Sequence, residues 1–124
     1  IGRNLVSMDK FAPKFVTHVV FTRRDLIASN PKLVDRFLKG LFATIAYMRT
    51  HKAETVKISV EQMHESQAVA EKTYDDEVGT FTTDGTFDPE GIAVLKQSFL
   101  DMGMLKEKPA DDQMYTSQFL PVKP

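Results

Sequence analysis

Ser29-Asn30-Pro31 and the residues behind it constrain this chain more than any other stretch. Asn30 suits a helix N-cap, because its side-chain oxygen can take an orphan amide proton of the first turn. Pro31 suits the first helical position, where its fixed φ fits and its missing N–H costs nothing. Val34, Leu38, Leu41, Ile45 and Met48 then recur at helical spacing, with Leu33, Phe37 and Phe42 widening the stripe. Lys32, Asp35, Arg36, Lys39 and Arg49 take the other side. At about 1.5 Å per residue this helix runs about 30 Å, the width of a small domain. So wide an apolar face must lie across a large surface, and the rest of the chain offers little to supply one.

The chain has 124 residues, a length that suits one domain able to bury a modest core. Apolar residues make up 42% and charged residues 27%, an ordinary globular composition. The net charge is −1 with signs interspersed, so no footprint for nucleic acid or an anionic membrane is present. No apolar run approaches the length of a transmembrane helix. Cys is absent, which excludes disulfides and thiolate metal sites but not an exported location. The sequence opens on Ile1 with no signal-peptide pattern, and residues 5–9 read like the tail of a strand whose partners lie elsewhere. The expectation is a piece of a longer protein.

Residues 14–22 (KFVTHVVFT) are rich in β-branched and aromatic side chains and form the best strand candidate, apolar on both faces. Residues 5–8 offer a second strand, with Pro13 at the junction. Residues 23–28 make a single turn before the Asn30 cap, and the long helix ends near Thr50–His51. Ala53, Val56, Val60 and Met63 align on a second helix over 52–63. Ser66, Val69, Ala70, Thr73 and Tyr74 suggest a third, frayed by Asp75-Asp76-Glu77. Asp84-Gly85 marks a tight turn. Asp88-Pro89-Glu90 repeats the cap-plus-proline start for a helix carrying Ile92, Leu95, Phe99 and Met102, which Gly103 ends. Beyond Met104 the chain is loop-like, with Met114, Tyr115, Phe119 and Leu120 pinning it to a core.

Catalytic and metal motifs are missing: there is no Gly-rich phosphate loop, nucleophile elbow or paired-His pattern. His18 reads as structural within the strand, and His51 as a cationic side chain favouring the carbonyl end of the long helix. His51 and His64 are too far apart for a helical zinc site. Asp75, Asp76 and Glu77 are consecutive and diverge, so they read as a solvated helix end. The Arg23-Arg24 pair reads as surface charge, and the six Met as core filling.

Two long segments resemble the C-terminal part of ABC-transporter solute-binding proteins. They are FVTHVVFTRRDLIASNPKLVDRFLKGLFATIAYMRTHKAE and FDPEGIAVLKQSFLDMGMLKEKP. The class is the nitrate/sulfonate/taurine type, related to binding proteins for pyrimidine precursors of thiamine. The matching features are an apolar strand, Asn-Pro opening a long helix, a His-Lys-Ala segment at its end, the late helix from Glu90 to Leu105, and the tail from Met114 to Leu120. The resemblance covers nearly the whole chain. The N-terminal half or more of such a protein is not in it.

The caps and periodicities predict a fold that is mainly α with one or two β-strands, and the resemblance implies that it is part of the two-lobed type II periplasmic-binding-protein α/β fold. Residues 1–14 would end the second lobe and make the return crossing, and 15–124 would pack as strand and helices on the lobes. It implies a solute-binding component of an uptake transporter, not an enzyme, with no cofactor and no metal. Its partners would be a small solute, taken up by the whole protein, and an ABC permease, in the periplasm or lipid-anchored outside the cytoplasm. Nucleic acid is not among the partners, and exposed apolar faces would also support a homo-oligomer. Asp9, Phe11, Thr17 and His18, which flank the return crossing, are the ligand-binding candidates, with most of the site upstream. Two alternatives stand beside this: a relative that makes the thiamine pyrimidine, and a free-standing helical interaction module.

Overall fold

The computed structural model describes residues 5–6, 11 and 14–123. Among the described residues the chain is mainly α. Its helices are α1 (Arg24–Ser29), α2 (Pro31–Thr50), α3 (Lys52–Met63), α4 (Gln67–Glu77), α5 (Pro89–Asp101) and α6 (Asp111–Met114). A 3₁₀ turn over Val78–Thr80 follows α4. The chain divides into two compact units, one of residues 1–23 with 87–118 and one of 24–86 with 119–124.

In the second unit, Asn30 caps α2 as its sequence predicts: Oδ1 accepts from the Leu33 amide at 3.2 Å, with Pro31 in the first turn. The helix runs 20 residues, and the stripe along it divides in two. Its C-terminal half is covered. Phe42 and Ile45 are buried and form a small core with Val122, lined by Leu38, Leu41, Phe81 and Leu120. Its N-terminal half is open, with Leu33 and Phe37 exposed.

His51 ends α2 and begins α3. Its ring stacks on Tyr47 at 3.9 Å, and Nδ1 lies 3.0 Å from the Tyr47 carbonyl oxygen. That places the imidazole at the negative end of the helix dipole, as expected. Val56 of α3 and Ala70 of α4 are each only 2% exposed, and small or slim side chains at this crossing let the two helices approach closely. Tyr74 Oη donates to the Met48 carbonyl at 2.7 Å, and Arg49 Nη2 donates to the Phe81 carbonyl at 2.6 Å. These bonds tie α2 to α4 and to the 3₁₀ turn. The expected fraying at Asp75-Asp76-Glu77 does not occur. Lys52 pairs with Asp75 at 2.5 Å and Lys72 with Asp76 at 2.8 Å, so the charge repulsion that would unwind the turn is offset.

The first unit is organised by α5. Asp88 Oδ1 accepts from the Glu90 amide at 2.9 Å, with Pro89 in the first turn. Gly103, at φ +69°, closes the helix. The Met104 amide donates to the Phe99 carbonyl and the Gly103 amide to the Leu100 carbonyl, each at 2.9 Å, the paired bonds of a Schellman end. Lys96 pairs with Asp111 at the start of α6, and the Phe87 and Tyr115 rings meet at 4.5 Å.

Further sequence expectations need correction. The strand expected at 14–22 is not formed; no β-strand exists among the described residues. Strand propensity is realised only when a neighbouring backbone completes the ladder, and the described residues spend themselves on helices and turns. Val19, Val20 and Phe21 are consequently exposed, Phe21 at 90%. His18 is likewise exposed rather than packed inside a sheet. The second strand, at 5–8, lies partly outside the described residues, and Leu5 and Val6 are exposed. Finally, Met63, Met102 and Met104 are exposed, so core filling does not explain them. Met63 ends α3, and the other two flank the turn that ends α5, where the chain leaves the helix packing.

Candidate functional site

Of the four residues proposed for ligand contact, Asp9 lies outside the described residues. Phe11 is exposed at 69% in a turn. Thr17 and His18 are exposed neighbours, with Thr17 Oγ1 and His18 Nδ1 2.9 Å apart.

What seats this segment is Lys14. Its backbone is left-handed at φ +61°, unusual for a residue with a Cβ and costing on the order of 1 kcal/mol. Its ammonium group pairs with Glu90 and lies 3.7 Å from Asp88. Its carbonyl rests on Gly91, where a Cβ would come within 2.5 Å of the oxygen and 3.2 Å of the Val16 side chain. Gly91 therefore permits a close approach that any larger residue would push apart. Residues 14–16 are thus held to the first turn of α5, and Thr17 and His18 emerge from that anchor into solvent. The structure brings Thr17 and His18 together as an exposed hydroxyl–imidazole pair, and leaves the Phe11 ring exposed.

Two concave surfaces occur elsewhere. One, of about 130 Å³, opens between α3 and α4 and is lined by Met48, Val56, Ala70, Thr73, Tyr74 and Glu77 among others. The sequence signal for it was the apolar set Val69, Ala70, Thr73, Tyr74, which reads equally well as ordinary helix packing. Glu77 gave no signal, because it follows two other acidic residues that face lysines. The second, of about 200 Å³, is lined by Pro89, Ile92, Ala93, Lys96, Lys108 and Asp111. It is the more polar of the two, and Lys96 within it is already neutralised by Asp111. Among the described residues no group of three His, Asp or Glu side chains converges on a metal position. No described helix is long and apolar enough to cross a membrane.

The charged groups set the expected pH response. The hydrogen bond from Lys96 lowers the Asp111 carboxyl below its ordinary 3.8. The backbone amide of Thr86 does the same for Asp84. Stability from these groups is present above 3.8 and is lost as pH falls through the lowered folded values. Lys14, Lys52 and Lys72 are raised above 10.5 by the hydrogen bonds they donate to Glu90, Asp75 and Asp76, so their contribution is present below 10.5 and lost as pH climbs through the raised values. These groups are solvent-exposed apart from the half-buried Asp84, so each effect is small and salt-screened. Thermal unfolding followed by circular dichroism should give a melting temperature nearly constant between about pH 5 and 9, falling at both extremes. A maximum confined to the acid side would mean that these pairs do not form.

No known protein family, curated protein or solved structure matches this chain.

Proposed function

We propose that this chain is the C-terminal portion of the solute-binding component of an ABC uptake transporter. Its solute is a small organic molecule or oxyanion of the nitrate, sulfonate, taurine or thiamine-precursor kind, and it works by binding without catalysis. On this reading it acts in the periplasm or lipid-anchored outside the cytoplasm and delivers solute to a permease. The observation that carries the reading is the uncovered apolar surface: Val19, Val20 and Phe21 on the segment before α1, and Leu33 and Phe37 on α2. A strand-forming sequence without a ladder and a half-covered helix stripe are what remain when a sheet belonging to the same fold is supplied by other residues.

One observation favours a second reading, a free-standing helical interaction module: α1 to α6 form, with side-chain caps on α2, α4 and α5, without any strand among the described residues. The test is calorimetry on the longer protein that contains this segment, titrated with nitrate, taurine and a thiamine pyrimidine precursor. The transport reading expects one of these to bind. If the segment reaches the ligand, Phe11→Ala should weaken binding of a ring-bearing solute about tenfold through lost stacking. His18→Ala should weaken it through a lost hydrogen bond. Unchanged affinity in both variants removes this segment from the site, and no binding of any of the three solutes favours the interaction module.

A further inference from the structure

The cleft between α3 and α4 lies in the other unit from Phe11, Thr17 and His18, and its chemistry is different. Its volume, about 130 Å³, is close to that of cavities of about 150 Å³ that admit a benzene ring. Its walls are apolar, with Met48, Val56, Ala70, Val78 and Phe81 among them. Of the four hydroxyl groups in the lining, three have already committed their protons, and only Thr73 keeps a free donor. Thr55 Oγ1 donates to the His51 carbonyl at 2.8 Å, Ser59 Oγ to Glu65 at 2.6 Å, and Tyr74 Oη to the Met48 carbonyl at 2.7 Å. A neutral polar molecule would find few free donors there.

Charge supplies the selectivity. Glu77 is the third of three consecutive acidic residues on the last turn of α4, and its neighbours are both neutralised, Asp75 by Lys52 and Asp76 by Lys72. Glu77 belongs to the cleft lining, and its carboxylate has no ion pair or hydrogen bond among the described residues. Lys52 and Arg49, on neighbouring helices, already have partners. Lys52 pairs with Asp75 while sitting 5.5 Å from the Tyr74 ring centre, and Arg49 donates to the carbonyls of Gly79 and Phe81. Tyr74 and Phe81 also give the cleft two aromatic rings, whose faces attract positive charge.

We propose that this cleft binds a small apolar cation, an amine carried on a body about the size of a benzene ring, with Glu77 as its counter-ion. The apolar body fills the space between α3 and α4, and the ammonium group remains at the partly open mouth beside Glu77. The site is open and its ion pair solvated, so affinity is modest, on the order of millimolar.

The experiment is an amide ¹H–¹⁵N NMR titration of the chain with benzylamine, and with benzyl alcohol as the neutral molecule of matching shape. Benzylamine should move the amides of cleft residues in a saturable way, and benzyl alcohol should bind about threefold more weakly. Raising the salt concentration should weaken only the amine. Glu77→Gln, a change at an exposed helix end that leaves the spectrum dispersed, should bring benzylamine down to the level of the alcohol. Thr73→Phe, at an exposed position on the same wall, should abolish both. Equal binding of amine and alcohol, unchanged amine affinity in Glu77→Gln, or shifts scattered away from the cleft would overturn the proposal.

Discussion

Truncating Phe42 to Ala should lower the stability of the helical unit by about 3–5 kcal/mol, the largest loss expected from any single side chain here. Phe42 is 6% exposed and sits with Ile45 and Val122 at the centre of a core closed by Leu38, Leu41, Phe81 and Leu120. Its ring also touches the Asp84-Gly85 turn so closely that a Cβ at Gly85 would fall 2.8 Å from it. Three separate stretches of chain meet on that ring: α2, the turn at 84–85 and the tail at 119–122. The tail is fixed there by the Val122 amide, which donates to the Asp84 carbonyl at 2.9 Å. Removing the ring leaves a void that backbone from three directions cannot collapse to fill. Small domains have only about 5–15 kcal/mol of stability in all, so the loss is a large fraction of the total. The control lies on the same helix. Phe37, 59% exposed, should cost under about 0.5 kcal/mol when changed to Ala. Urea unfolding followed by circular dichroism measures both, and similar midpoint shifts for the two variants would mean that the core is not where Phe42 places it.

Most of the helical architecture was legible because it is written in short-range signals. The Asn30-Pro31 and Asp88-Pro89 starts, the turn at Gly85 and the Gly103 stop each depend on residues within a few positions of one another. The span of α3 followed from its apolar periodicity and from His51 and His64 at its ends. What misled was propensity without context. KFVTHVVFT has the composition of a buried strand, but composition does not provide the neighbouring backbone on which a strand depends. The role of Val122 was missed because a single Val between two prolines has no periodicity, and its burial is set by a hydrogen bond to a residue far off in sequence. The same holds for the candidate site. The anchoring of Lys14 over Gly91 and the uncompensated charge of Glu77 arise from contacts or their absence across long sequence separations.

The central claim is that this chain presents apolar surface which another polypeptide segment is meant to cover. Phe21 is 90% exposed, Val19 56%, Val20 52% and Phe37 59%, and residues 15–22 offer backbone that no ladder occupies. Exposed apolar groups of this size draw in whatever complementary surface is available. With no other partner in solution, that surface is a second copy of the same chain. Sedimentation velocity from tens to hundreds of micromolar is the direct measurement. The weight-average mass should at least double across the range, and the paired substitutions Phe21→Asp and Phe37→Asp should return it toward the monomer value. A chain that stays monomeric at the highest concentration would contradict the claim.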